Sequence, residues 1–451
     1  MAAKPSPPGA SARRARFPHP HRGRPEPLRN IGRFLRILGP GLITGAADDD
    51  PSGIGTYSQV GAAYGSGLLW LALYMLPLMI AVQEMCGRIG LVTGQGIAGV
   101  VRRQYNRKIL YGAVALLLLA NTINVGADLG AMAVSTHLLL PGVPGAVLLV
   151  AFAVGILALE IFVSYRQYAR VLKFLALSLL AYIVTGLIIR PDWRQLLVRT
   201  IVPSIQFSPT FLALVVGMLG TTISPYLFFW QASEEVEESE LHGRLHTGAD
   251  RKRQRLALLK QLRSLRFDTV LGMLASEVTT WFIIVTTSSV LNAHGITNIA
   301  TADQAARALR PLAGPFAEAI FALGIVGTGL LAVPVLAGSA AYGIAETFGW
   351  REGLAKTFNH ARGFYCVIGI ATLVGLAINF LGVDPIAALV YTAVINGIVA
   401  VPLLILILLV ANNRSIMGEH TNGRLSNTVG IATTALMGVA ALVTVVSLFW
   451  H

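Results

Sequence analysis

Long apolar runs separated by short polar segments dominate the chain, and their lengths decide its class. Windows of roughly 20 residues, the length an α-helix needs to cross a bilayer, give eleven candidate spans. They lie at about 37–65, 67–87, 110–139, 144–163, 171–189, 209–231, 268–292, 315–347, 363–382, 384–411 and 427–450. The pattern predicts an all-α integral membrane protein. Two of the runs are faulted. The first is interrupted by Asp48-Asp49-Asp50-Pro51-Ser52-Gly53. The sixth reads Gly217-Met218-Leu219-Gly220-Thr221-Thr222-Ile223-Ser224-Pro225-Tyr226, polar and Pro-broken near its middle. Pro removes a ladder donor and Gly weakens a helix.

Interrupted spans at corresponding positions of two five-span halves are the sequence mark of an inverted-repeat transporter. Repeat one then covers about 37–189, repeat two about 209–411, and the eleventh helix, within 412–451, lies outside the repeat. With an odd number of spans per half, the second half enters the membrane from the opposite face. Alone, the sixth-span break reads as a Pro kink with a packing role. The matching break in the first span argues against that.

Composition agrees with the pattern: 54% of residues are hydrophobic and 13% charged, against about 25% charged in soluble domains. Residues 1–35 differ, carrying Pro, Ala and eight basic residues against Glu26. They read as a disordered basic cytoplasmic tail that touches anionic lipid; the segment lacks the apolar h-region of a signal peptide, and an organellar transit peptide is the alternative. The transporter core is expected over 36–411. Cys86 and Cys366 suggest no disulfide framework.

With the N-terminus inside, all but five of the 35 Lys and Arg residues fall on the cytoplasmic side, and none falls in mid-membrane. The outer five are Arg190, Arg194, Arg199, Arg307 and Arg310. The positive-inside rule thus supports the span count and places a multi-pass protein in the cell membrane, a bacterial inner membrane, N-terminus cytoplasmic. The sequence pI of 10.1 is topological; no nucleic acid and no obligate protein partner are implied. The largest hydrophilic connection, about 233–267, has an acidic first part and a basic second part, 251–260, with leucines at helical spacing. The second part suits an amphipathic helix on the inner membrane surface or a solvated linker helix. The outer loop 293–314 is expected to be short, structured and lid-like.

Three carboxylates at membrane depth must find a partner, water or an ion. Carbonyls freed by the break beside them describe a site for a hard cation. A polar loop outside the membrane is the bland alternative, and the distribution of basic residues opposes it. A membrane prenyl-transfer enzyme would want a second Asp-rich cluster and facing basic phosphate ligands; with no Lys or Arg in mid-membrane, no enzyme is expected, and no cofactor beyond the transported ion.

Gly39-Pro40-Gly41 with Asp50-Pro51, Arg88-Ile89-Gly90-Leu91-Val92-Thr93-Gly94 with Arg102 and Tyr105, Asp128-Leu129, Tyr165-Arg166 and Met417-Gly418 together resemble the signatures of the NRAMP family of divalent-metal transporters, across nearly all of 36–420. The resemblance implies a LeuT-like architecture, five plus five transmembrane helices with an eleventh, helices one and six broken, and metal bound at their unwound centres. Carried over residue by residue, the family's metal-binding Asp is Asp50, its Asn ligand falls on Gly53, and its carbonyl-donating Ala falls on Thr221. The Met whose thioether favours softer metals falls on Ser224, and two histidines fall on Tyr226 and Gln231. The third-span Asp is kept as Asp128 while its Glu partner falls on Ala131. The tenth-span Gln falls near Val394, with Asn396 the nearest polar candidate.

A hydroxyl in place of a thioether removes discrimination for soft metals, and Gly53 is expected to leave room. A small direct ligand set suits an ion that keeps several waters, as Mg²⁺ does. Asp49 is a further candidate ligand, and Asp48 and Asp49 can hold such waters or face a wet vestibule. Since Tyr226 and Gln231 do not titrate near neutral pH, a proton path through Asp128, Tyr226, Gln231 and Asn396 is incomplete. The pattern resembles the family's magnesium-transporting branch. The expectation is a divalent-cation transporter, Mg²⁺ first and Mn²⁺ second, not proton-coupled. The alternatives are a proton-coupled Mn²⁺/Fe²⁺ transporter and an organic-solute symporter of the same architecture.

Overall fold

The computed structural model describes residues 44–163 apart from Ala46, 179–241 and 251–449. The tail 1–35, the Gly39-Pro40-Gly41 signature, the Tyr165-Arg166 pair and the first part of the fifth span lie outside the described residues. Every regular element among the described residues is helical. The long helices are α1 (Pro51–Tyr64), α2 (Leu69–Thr93), α3 (Ile97–Gln104), α4 (Arg107–Leu139), α5 (Gly145–Phe162), α6 (Leu180–Ile189) and α7 (Trp193–Ile201). They continue with α8 (Pro209–Thr222), α9 (Pro225–Leu241), α10 (Arg251–Val290), α11 (Ala317–Phe348), α12 (Arg362–Ile378), α13 (Pro385–Asn412) and α14 (Arg424–Phe449). Nine helical stretches among the described residues are long and apolar enough to cross a membrane. One of them, Pro51–Thr93, turns at Gly65–Leu68 and so comprises both α1 and α2. Another, Pro209–Glu240, comprises α8 and α9.

Local chemistry sets the helix starts. Asp50-Pro51, Ser208-Pro209 and Asp384-Pro385 each place a side-chain acceptor at the N-cap and Pro in the first turn, where its missing N–H costs nothing. Gly94 and Gly349, at φ 64° and 71°, end α2 and α11 in the left-handed region. In the core, α4 packs along α11, α12 and α13, α8 lies on α13, and α10 runs against α1 and α2. The α8–α13 crossing is backbone on backbone: a Cβ on Gly220 would collide with the Ala393 carbonyl and the Gly397 amide. That fixes the end of α8 tightly.

Two expectations for 233–267 change. The acidic stretch is no loop: α9 runs on to Leu241, with Ser233, Glu234 and Glu235 buried. Its acids are absorbed by protein donors, as where Glu237 accepts from the Tyr342 hydroxyl and the Leu354 amide. The basic stretch is no separate surface helix either, because α10 is continuous from Arg251 to Val290. The loop expected to be lid-like forms short helical turns, including Asn292–His294 and Ala302–Ala306. It is tied to α1, since Gln59 donates to the Thr297 carbonyl at 3.2 Å and accepts from the Ile299 amide at 2.9 Å.

Candidate cation site at the two helix breaks

The first break lies at Asp49–Asp50, between helical residues up to Asp48 and the start of α1. The sixth-span break lies at Ile223–Ser224, between α8 and α9. They face one another: the hydroxyls of Ser52 and Thr221 are 3.5 Å apart, and Tyr57 meets Thr222 at 2.9 Å between hydroxyls. Asp50 is 1% exposed. Its Oδ1 accepts from the Gly53 amide at 2.6 Å and the Ser52 hydroxyl at 2.8 Å. Its Oδ2 accepts from Asn124 Nδ2 on α4 at 3.0 Å. The carboxylate thus caps the positive end of α1.

The α8 terminus offers the opposite polarity. Ser224 Oγ donates to the carbonyls of Gly220, at 2.7 Å, and Thr221. With its one proton turned to that helix end, the hydroxyl keeps lone pairs for another partner. Two helix C-terminal ends, that of α8 and that of the residues before Asp49, converge with a carboxylate, which favours a cation.

Gly53 does not leave spare room. A Cβ there would meet the Asp48 carbonyl, Thr221 Oγ1 and Tyr57 Cε2, each at 3.2 Å. Asp49 is held from α10, where Ser276 Oγ donates to its Oδ1 at 3.2 Å and to Asp48 Oδ2 at 2.6 Å. Tyr226 and Gln231 stitch α9 to the segment before the first break. Tyr226 donates to the Ala47 carbonyl at 2.8 Å, and Gln231 accepts from Thr44 at 2.6 Å while donating to Glu235 at 3.1 Å. Asp128 is fully buried and close enough to Asp50 for their charges to interact. Asn396 is buried on α13 beside Gly397.

Asn124 was missed in the sequence, although it sits one turn before Asp128 on the same face of α4, the spacing at which helix side chains align. Glu277 on α10 was missed as well, and a carboxylate within a span is itself a signal. Several buried oxygens here have no donor: Asn124 Oδ1, both oxygens of Asp128, Asp48 Oδ1 and both of Glu277. Each such group costs about 1–3 kcal/mol when left unmet, so the lining is rich in acceptors.

Residues 41–447 match the natural resistance-associated macrophage protein-like family. The chain belongs to this family. Its relatives include the divalent metal cation transporter MntH of Caldanaerobacter subterraneus subsp. tengcongensis, 24% identical over 422 residues, with 90% of this chain and 92% of that protein covered. The Eremococcus coleocola manganese transporter, solved with an aromatic bis-isothiourea substituted compound, is similar in fold at TM-score 0.71 and 17% identity, covering 96% of this chain and 88% of that one. MhsT, solved in complex with L-phenylalanine, is similar at TM-score 0.55 and 12% identity, covering 90% and 98%. The LeuT-like architecture implied by the NRAMP resemblance is therefore present in this chain. Its named relatives are metal transporters rather than enzymes.

Proposed function

We propose that this protein carries a hard divalent cation, Mg²⁺ first and Mn²⁺ second, across the cell membrane by alternating access without coupled protons. The class is supported by relatives named as divalent metal cation and manganese transporters. The ion preference rests on one observation, the surplus of buried oxygens without donors around Asp50. A cation that keeps its inner waters presents O–H donors outward and positive charge within, which is what such a lining lacks. Asp50, the Thr221 carbonyl and Ser224 are the groups proposed to face the ion, with Asn124 holding Asp50.

The same surplus disfavours an organic solute, whose carboxylate would meet further acceptors. Uncoupled movement is supported by Tyr226, whose proton is committed to the Ala47 carbonyl, and by Gln231, which bridges Thr44 and Glu235. Asp128, buried without a donor, favours the second reading, proton-coupled Mn²⁺/Fe²⁺ transport, because it remains free to carry a proton. The membrane potential alone supplies ~4.6 kcal/mol per 100 mV to a divalent ion. The proposed orientation has the N-terminus and the loop 351–362 cytoplasmic and the loop 293–314 outside, with a basic tail at 1–35, a core over 36–411 and an appended region 412–451.

Flux into proteoliposomes with Mg²⁺, Mn²⁺ or Ca²⁺ outside and a pH reporter inside tests the proposal. Mg²⁺ should enter without stoichiometric proton movement. Selective Mn²⁺ uptake with matching acidification would overturn the reading.

A further inference from the structure

The carboxylates at the first break point in two directions. Asp50 is held from the α4 side by Asn124, whereas Asp48 and Asp49 both accept from a single hydroxyl, Ser276 on α10. The next residue on α10, Glu277, is 4% exposed, and its charge reaches both Asp48 and Asp49. Neither Glu277 oxygen has a hydrogen-bond partner, and Asp48 Oδ1 has none. Among the described residues no ion pair includes any of these three acids. From 267 to 290, α10 contains no Lys or Arg.

Three buried carboxylates without a countercharge, two of them with unmet oxygens, are not explained by the Asp50 site. An ion seated at Asp50 would answer to Asn124, Thr221 and Ser224, whereas Asp48 and Asp49 are held by Ser276. Tyr57 stands between the two groups: its hydroxyl meets Thr222 beside the α8 end, and the charges of Asp48, Asp49 and Glu277 all reach that hydroxyl.

We propose that Asp48, Asp49 and Glu277 form a second cation station on the α10 side of the first break, taking a divalent cation that keeps part of its water shell. Among the described residues no three acidic, His or Cys side chains converge closely enough to ligate a bare ion. That is the reason for a hydrated occupant: its waters span the gaps and donate to the orphaned oxygens, as Mg²⁺ sites commonly do. Ser276 is the positioning residue, turning two carboxylates toward Glu277. The station rests on the reading of this protein as a divalent-cation carrier and adds to it a second ion held beside the first.

Mn²⁺ serves as the probe, located by anomalous scattering in crystals of the full chain and counted by titration of the purified protein. The wild type should hold two Mn²⁺ at saturation. Glu277→Gln should lose the ion near α10, keep the one at Asp50, and raise the half-saturating Mg²⁺ concentration for uptake about tenfold or more. Glu277→Asp should restore part of both properties. Asp50→Ala should stop uptake yet retain the ion near α10. One Mn²⁺ in the wild type, at Asp50 only, overturns the station, and so does an unchanged ion count in Glu277→Gln. Should Glu277→Gln fail to fold, Ser276→Ala reads the same loss by releasing both aspartates. A carrier of some other substrate would instead show no Mg²⁺ uptake in the wild type, whatever its ion count, which separates failure of the functional reading from failure of the station.

Discussion

At the first break the chain brings three carboxylates to the gap before α1, while the sixth-span break brings none and offers carbonyls and a hydroxyl at the end of α8. The difference follows from polarity. α1 begins at its break, so its positive end faces the centre and takes the Asp50 carboxylate as a cap. α8 ends at its break, so its negative end faces the centre and needs no acid to attract a cation. One break supplies fixed charge, the other neutral dipoles, and a divalent ion placed between them would meet oxygen acceptors from both. A carboxylate at Ser224 would repel Asp50; a thioether there would soften an otherwise hard site.

The strongest way to break this contrast is to remove the charge. Asp50→Ala should lower Mg²⁺ uptake by more than about 100-fold, since it removes the carboxylate that caps α1 at the gap; uptake within tenfold of wild type would show that the dipoles suffice. Asn124→Ala comes next. It frees Asp50 Oδ2 from its only side-chain donor on α4 and should weaken ion affinity by about 10–100-fold while leaving maximal flux largely intact. A fall in maximal flux with unchanged affinity would assign Asn124 to the conformational step instead.

The sixth-span side is probed by Ser224→Met. The variant loses a hydroxyl bound to the Gly220 and Thr221 carbonyls and gains a soft sulfur. Cd²⁺ should compete with Mg²⁺ about tenfold better than in the wild type, ~1.4 kcal/mol of relative affinity. Unchanged competition would remove residue 224 from the ion's surroundings.

How far the sequence reveals this site differs between the two breaks. Pro51 and Pro225 mark where ladders fail, so the broken spans were legible from local chemistry and composition. What stayed hidden depends on long-range placement. Asn124 and Glu277 meet the first break from helices about 74 and 229 residues away, and spacing along the chain does not encode such encounters. Gly53 was misjudged for the same reason: its missing side chain reads as space until Thr221 and Tyr57 are seen packed into it. The acidic stretch of α9 reads as a solvent loop by composition, yet Tyr342, Leu354 and Ala355 supply its donors from elsewhere.

The smallest expected effect concerns how the second half of the sixth span is anchored. Where α1 is clipped to its loop by the neutral Gln59, the far end of α9 is held through carboxylates. Glu237 accepts from Tyr342 and the 354–355 amides, and Ser233 donates to Glu346 at 2.8 Å. Glu352 lies in the same cluster, in the loop between α11 and α12, facing Glu346, Glu237, Glu240 and Lys356. Burial, with the Glu346 charge beside it, pushes its carboxyl up to about 9 from 4.5. An acid raised on folding binds more protons folded than unfolded between those values, so its stabilising contribution is full at low pH and is lost as pH rises through that window. The melting temperature of the wild type in detergent should therefore fall more steeply from pH 6 to 9 than that of Glu352→Gln, by a few degrees. Parallel slopes would show that Glu352 ionises freely and that the carboxylate anchor of α9 carries no pH dependence from this residue.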